Sequence, residues 1–389
     1  MHLLFLCHPD HGHVIPNLAM VTELARRGHQ VTYLTAASMA GIATDAGASV
    51  VTYESRYRDA DFRKVAEDPG YLMDLLLDES AAMLAVDLPS RPDVIVYDTS
   101  ILFAGRILAR KLGVPSAQVI PVFASNEHFS YLNAMYNPGG GQEKPAEMPS
   151  WVMTTMRRIG ELCAEHGVSV EPPQLWFEVP SLSLVTVPRE FQYAGETFDS
   201  RFVFVGPCVG DRGFLGSWEP PSSGLPVVLV SLGAVFNEHA DFFRTCVEAF
   251  RGQPWHAVMT VAEGLDPAAL GELPSNVEVH RWVPHVAVLE HASLCVTHGG
   301  MGTAMEALRA GTPMVCVPTS ALDRPTARRI EELGLGVALD PATLSAAALV
   351  EAVGSVMGTA SYAARAGEMA AAIAAAGGAA RAADEIERA

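Results

Sequence analysis

The sequence predicts an α/β protein made of two doubly wound domains, and three observations carry that prediction. The chain has 389 residues, more than one hydrophobic core usually fills. Strand-like apolar runs alternate with helix-like runs twice over, the pattern of parallel sheets covered by helices. A stretch rich in Gly, Pro and Ser, residues 206–226, separates the two series and reads as a linker.

In the first series the strands are expected near residues 3–7, 30–35, 49–53, 93–97 and 116–120, with later ones near 183–187 and 201–205. The first helix is expected from about Pro16, a residue suited to an initial helical position, to Gly28 just past its end. Its buried stripe would include Leu18, Val21 and Ala25. The second series has strands near 227–231, 256–260, 277–280, 294–297 and 314–317, and the Ala-rich tail from about residue 360 is helical. Residues 137–150, NPGGGQEKPAEMPS, read as a loop, either a mobile one over a ligand or a plain surface loop.

Composition narrows the function classes. Acidic residues outnumber basic ones 44 to 26, the formal net charge is −18, and no Lys/Arg-rich run occurs. Nucleic acid and anionic membrane are therefore poor partners. No apolar stretch reaches the ~18 residues needed to span a bilayer. The start, MHLLFLCHPDHGH, lacks a basic leader and reads as a first strand. Cys7, Cys163, Cys208, Cys246, Cys295 and Cys316 show no metal-type spacing, so they are expected as reduced thiols in a cytoplasmic protein.

If each half is wound in the order 3-2-1-4-5, the carboxyl ends of its first and fourth strands flank one crevice. That brings His8–His13 to Tyr97-Asp98 in the first half, and Ser231-Leu232-Gly233 to His298-Gly299-Gly300 in the second. In the second half a short strand (293–297) runs into the glycine turn His298-Gly299-Gly300-Met301-Gly302, followed by a helix from Thr303 to about Ala310. Such a turn points backbone N–H groups and a positive helix end at phosphates.

Each candidate has a plainer reading. His13 sits at a strand-to-helix turn, where a lone histidine is commonly structural; as a base titrating near neutrality it suits removal of a hydroxyl proton. Asp98 either caps the helix beginning near Ser100 or accepts the imidazole N–H of His13. The run His8-Pro9-Asp10-His11-Gly12-His13 could supply metal ligands, but no second group of metal-like spacing accompanies it. Asp59-Ala60-Asp61 is formally a metal-binding Asp-x-Asp and lies on a charged, solvated stretch. Thr303-Ala304-Met305-Glu306 is either a capping box or part of a diphosphate site. Trp282 reads as a core tryptophan.

The segment RWVPHVAVLEHASLCVTHGGMGTAMEALRAGTPMVCVP (281–318), with HGHVIP near the start and LVSLGAVF at the second series, resembles the family 1 glycosyltransferases of the GT-B fold. Within that family it is most similar to bacterial natural-product enzymes of the macrolide and enediyne type. The resemblance implies two Rossmann-like domains facing across a cleft: residues 1–207 for the acceptor, 208–369 for the nucleotide sugar, and a terminal helix (about 370–389) packing back on the first. It implies an inverting, metal-independent transfer with no cofactor, as a monomer or homodimer, from a nucleotide sugar to a small hydrophobic acceptor.

By the same resemblance His13 is the catalytic base and Asp98 its partner. Trp282 and Val283 hold the base, Ser231 lies below the diphosphate, and His298, Gly299, Gly300, Gly302 and Thr303 bind phosphate. Glu306 binds the ribose, while Asp323 and Arg324 meet the donor sugar. Phe123, Phe129, Tyr131 and Trp151 are acceptor-side candidates, or core aromatics. Three departures bear on the donor: His285 stands where Gln is common, Asp323-Arg324 replaces the usual acidic-Gln pair, and PTARRI lacks the Asn often found there. A TDP-linked deoxy- or aminosugar is therefore the expected donor, with a UDP-sugar as the other possibility. The rival expectations are a sugar-nucleotide epimerase or hydrolase of the same fold, and a catalytically silent nucleotide-sugar-binding subunit.

Overall fold

A computed structural model describes residues 1–137, 149–210, 217–233 and 239–389. The chain forms two compact units, Met1–Gly210 with Ala376–Ala389, and Asp211–Ala375. The sequence reading places the divisions after residues 207 and 369; the structure places them after Gly210 and Ala375.

The first unit is built on seven parallel strands: β1 (His2–Leu6), β2 (Gln30–Ala36), β3 (Ser49–Tyr53), β4 (Val94–Asp98), β5 (Ser116–Ile120), β6 (Leu182–Val185) and β7 (Phe202–Phe204). Their spatial order is β3-β2-β1-β4-β5-β6-β7, so β1 and β4 are neighbours, with Leu6 opposite Tyr97. Central strands such as β4 are buried throughout, which is why they read as unbroken apolar runs. One face of the sheet packs Leu3, Phe5 and Val96 under the helix His11–Arg26. The other packs Leu4, Leu6 and Tyr97 under the helices that follow β3 and β4.

The first helix begins earlier than the sequence reading has it. Asp10 is its N-cap, its side chain accepting from Gly12 N, and Pro16 lies inside the helix rather than at its start. His13 therefore sits in the opening turn of a helix and not in a loop. The terminal helix Gly378–Arg388 packs on this first helix, with Ala382, Ala383 and Ile386 completing the same core. Arg27 clasps it through Asp384 (2.7 Å), Glu387 (2.9 Å) and the Ala380 carbonyl (3.1 Å).

The second unit holds six parallel strands: β8 (Val227–Ser231), β9 (His256–Thr260), β10 (Val277–His280), β11 (Ala292–Thr297), β12 (Met314–Cys316) and β13 (Gly336–Ala338). Their order is β10-β9-β8-β11-β12-β13, again with the first and fourth strands adjacent and Ser231 opposite Thr297. β13 is absent from the sequence reading. It is three residues long and opens on Gly336, where a Cβ would collide with the Met314 backbone. The helix after the glycine turn spans Met301–Arg309 and enters from Gly300 in extended conformation, without a side-chain cap. Thr303 is thus inside the helix and the capping-box reading fails.

Most of the loop expected at residues 137–150 lies outside the described residues, as do parts of the linker and of the segment after Gly233. Among the described residues no helix is long and apolar enough to cross a membrane. All six cysteines are free and buried. Asp61 of the Asp-x-Asp stretch caps the helix Phe62–Glu67.

Candidate active site

At the carboxyl edge of the first sheet, β1 empties into His8–His13 and β4 ends on Asp98. The adjacency of the two strands brings His13 Nδ1 to 2.8 Å from Asp98 Oδ1 across 85 positions of sequence. The carboxylate side chain is fully buried, whereas the imidazole side chain keeps 23% of its surface exposed. Both sequence readings of Asp98 hold at once, because Oδ1 also accepts the backbone N–H of Ser100 (2.8 Å) and caps the turn Thr99–Ile101.

The electrostatics follow from this packing. Burial alone pulls the His13 pKa down, but the Asp98 charge, its hydrogen bond and the charge of Asp10 outweigh it and raise the value to about 8. Burial likewise opposes ionisation of Asp98, yet His13, His8 and the Ser100 hydrogen bond hold its carboxyl below the usual range. Asp10 is held low against its own burial by His13, His8, the Tyr57 hydroxyl and the Gly12 amide. His8 is pushed down to about 4 by burial and by the neighbouring charge of His13.

Four residues of this site escape the sequence reading or enter it only as part of a run. His8 Nδ1 pairs with the Ser100 hydroxyl, and that hydroxyl donates to Asp98 Oδ1 (2.6 Å). The Tyr57 hydroxyl donates to Asp10 Oδ2. The His8 ring packs 4.5 Å from that of His13 and 4.7 Å from that of Tyr57. His8, His13 and Asp98 could each offer a ligand atom to a metal ion, all within 4.8 Å of one another. His13 Nδ1 and Asp98 Oδ1 are bonded to each other within this group.

Past the end of β5, Phe123, Phe129 and Tyr131 gather with Phe191 and Tyr193, with ring centroids 4.8–6.0 Å apart. Phe123 is buried, so it supports this cluster from beneath. Trp151 does not join them: it sits on the helix Ser150–Glu165 against Trp176, whose ring stacks on the exposed Phe177.

In the second unit, β8 and β11 bring Ser231 and the glycine turn together as their adjacency requires. Ser231 Oγ accepts from Gly233 N (3.1 Å), and Gly233, at φ +75°, leaves no room for a Cβ beside the His298 ring. Gly299 has φ +90° and passes close to Ala327 and the Asp323 carbonyl, so both glycines are required by conformation and by space. His298, Thr303 and Glu306 are buried around the turn, while Gly302 is exposed at the helix start.

His285, which departs from the common pattern, meets Thr260 Oγ1 with Nε2 (3.1 Å) and faces Glu306 with Nδ1 (3.6 Å). Trp282 is 38% exposed, its Nε1 donating to Glu263 (3.0 Å), and Val283 beside it is buried. Asp323 is buried, and its Oδ2 is taken by Ser320 N (2.9 Å) and Ser320 Oγ (2.8 Å). Its Oδ1 lies 3.8 Å from His298 Nε2, so this carboxylate shapes the loop against the turn, while Arg324 is exposed.

The two-unit architecture defines a class. It superposes on the crystal structure of the calicheamicin glycosyltransferase with a TM-score of 0.87 and 40% identity, covering 100% of this chain and 97% of that one, and is a GT-B fold. Residues 256–388 match the family described as erythromycin biosynthesis protein CIII-like, C-terminal domain. The chain is 41% identical over 363 residues to demethyllactenocin mycarosyltransferase of Streptomyces fradiae, covering 89% of this chain and 77% of that protein. It is 35% identical to oleandomycin glycosyltransferase of Streptomyces antibioticus, covering 99% of this chain and 90% of that protein. The chain belongs to the bacterial antibiotic glycosyltransferases of the GT-B fold.

Proposed function

We propose that the protein transfers a deoxysugar from a TDP-sugar to a hydroxyl of a hydrophobic natural product, with inversion at the anomeric carbon and without a metal ion. The observation that carries this reading is the bond from a half-buried imidazole to a fully buried carboxylate, His13 to Asp98, at the edge of the first sheet. Because Nδ1 donates to Asp98, the lone pair of Nε2 is left to take the acceptor proton. The acceptor oxygen attacks the anomeric carbon as the bond to the diphosphate breaks, and one such displacement inverts the centre. Asp98 stabilises the imidazolium as it forms.

The second unit is the donor-binding one in this reading. The amides of Gly299–Gly302, the start of the helix Met301–Arg309 and His298 stabilise the departing diphosphate. Trp282 stacks on the base, with Val283 beneath it, and Glu306 takes the ribose with His285 at its side. Thr303 and Ser231 line the phosphate end, and Asp323 and Arg324 lie toward the sugar. The mycarosyl group in the name of one relative, a deoxyhexosyl group, supports a deoxysugar donor. On the first unit the Phe129, Tyr131 and Tyr193 cluster supports an apolar acceptor, and six unpaired thiols support a cytoplasmic setting.

A panel of nucleotide sugars and aglycones, read by mass spectrometry, tests the reaction, and His13→Ala tests the mechanism. That variant should bind TDP as the native protein does and lose roughly 10²–10⁴ in turnover. Unchanged turnover would overturn the role of His13, and rapid TDP release from donor alone would favour a hydrolase or epimerase.

A further inference from the structure

Asp98 receives its hydrogen bonds unevenly. Oδ1 accepts three donors: His13 Nδ1–H (2.8 Å), Ser100 N–H (2.8 Å) and Ser100 Oγ–H (2.6 Å). Oδ2 is buried and has no hydrogen-bond partner among the described residues. Whatever charge Asp98 offers to His13 is therefore shared, on a single oxygen, with Ser100.

The direction of the next link is set by counting protons. A serine hydroxyl has one hydrogen, and here it is spent on the carboxylate. The contact between His8 Nδ1 and Ser100 Oγ must then be donated by His8, which fixes its ring as the Nδ1–H tautomer. The reverse tautomer would set an imidazole lone pair against the hydroxyl oxygen, and turning the hydroxyl to it would abandon the carboxylate. His8 is buried, and burial together with the charge of His13 keeps it neutral. A one-way chain results: His8 N–H to Ser100, Ser100 O–H to Asp98, with His13 N–H arriving at the same oxygen from the other side.

We propose that Ser100, oriented by His8, is a positioning residue that limits how tightly Asp98 holds the proton taken up by His13. Each donor on Oδ1 withdraws electron density from the atom that binds the imidazolium. Without the hydroxyl the same oxygen would hold His13 more strongly as a cation, leaving less neutral base near neutral pH. The other titratable groups facing this cluster are Cys7 and His8 at the end of β1, Tyr33 on β2, Asp10 at the helix cap and Tyr57 after β3. None of them lies between Ser100 and Asp98, so removing the hydroxyl acts on Asp98 directly.

The catalytic meaning of this chain rests on the proposed role of His13, but its electrostatics can be read without turnover. Ring-nitrogen NMR of the native protein at neutral pH should show His8 with a protonated Nδ1 and a bare Nε2; the opposite tautomer overturns the chain. In Ser100→Ala the NMR titration midpoint of His13 should rise by about half a pH unit or more. Ser100→Thr, which keeps a hydroxyl, should return it toward the native value. The acid limb of kcat/KM should move with it, while the plateau at high pH stays within about threefold. An unmoved or lowered midpoint in Ser100→Ala, or a threonine variant behaving like the alanine one, refutes the proposal. A moved NMR midpoint with an unmoved activity limb would instead locate the failure in the role given to His13.

Discussion

Asp98→Asn removes the charge beside His13 while nearly preserving shape, and its consequence can be worked from the site. In the native protein His13 titrates at about 8 although burial pulls the other way, so Asp98 more than cancels the cost of desolvation. Relative to the unperturbed value near 6.5, that is about 1.5 pH units, or roughly 2 kcal/mol favouring the imidazolium. With Asp98 neutralised, burial remains and only Asp10 opposes it, so the midpoint should fall to 6.5 or lower. Two effects on kcat/KM follow, with opposite appearances. The acid limb, set by the neutral fraction of His13, should move down by more than about one pH unit. The plateau should drop by roughly 10²–10⁴, because the proton acquired in the transition state has lost its partner and the tautomer is no longer fixed. Product formation measured from pH 5.5 to 9.5 reads both. Stability carries the same sign: a raised folded-state pKa contributes stability that is full below about 6.5 and lost as pH rises through about 8. The melting temperature deficit of Asp98→Asn should thus be larger at pH 6 than at pH 9. An acid limb that stays near 8, with a plateau close to native, would refute the pairing as the source of His13 basicity.

Two further outcomes can be stated. Trp282→Ala should weaken TDP binding by roughly 1–3 kcal/mol in titration calorimetry, about 5- to 150-fold, if this 38%-exposed indole stacks on the base as proposed; native-like affinity would remove Trp282 from the nucleotide site. Ile386→Ala should cost about 2–5 kcal/mol in denaturant unfolding, since this fully buried side chain fills the first unit's core under the first helix; a loss below about 0.5 kcal/mol would mean that the terminal helix contributes little there.

The strands were legible because parallel strands buried on both faces read as short apolar runs, as with Val94–Asp98 and Val227–Ser231. Winding order then brought His13 to Asp98 and Ser231 to the glycine turn, since adjacency of first and fourth strands is a property of the topology and not of any side chain. Helix starts were less legible. Pro16 draws the expected start toward itself, while Asp10, capping Gly12, sets the real one. At Gly300 the backbone alone makes the entry, so no capping residue marks it. β13 was lost because three residues opening on glycine give no run to detect. The Ser100 and His8 link was beyond reach for a different reason. His8 stood in a visible histidine-rich run, but which side chain meets which oxygen depends on rotamers in two loops that the sequence places only by strand end. Nor does sequence spacing show that Trp151 packs with Trp176 apart from the Phe123 cluster.

The clasp between Arg27 and the helix Gly378–Arg388 sets an order of events on the ribosome. The apolar side of the first helix emerges early, yet Ala382, Ala383 and Ile386, which cover it, are translated after the whole second unit. Until those residues are made, the amino-terminal unit lacks this part of its core and the carboxylates that pair with Arg27, so its packing is completed only after residues 211–375 have been translated.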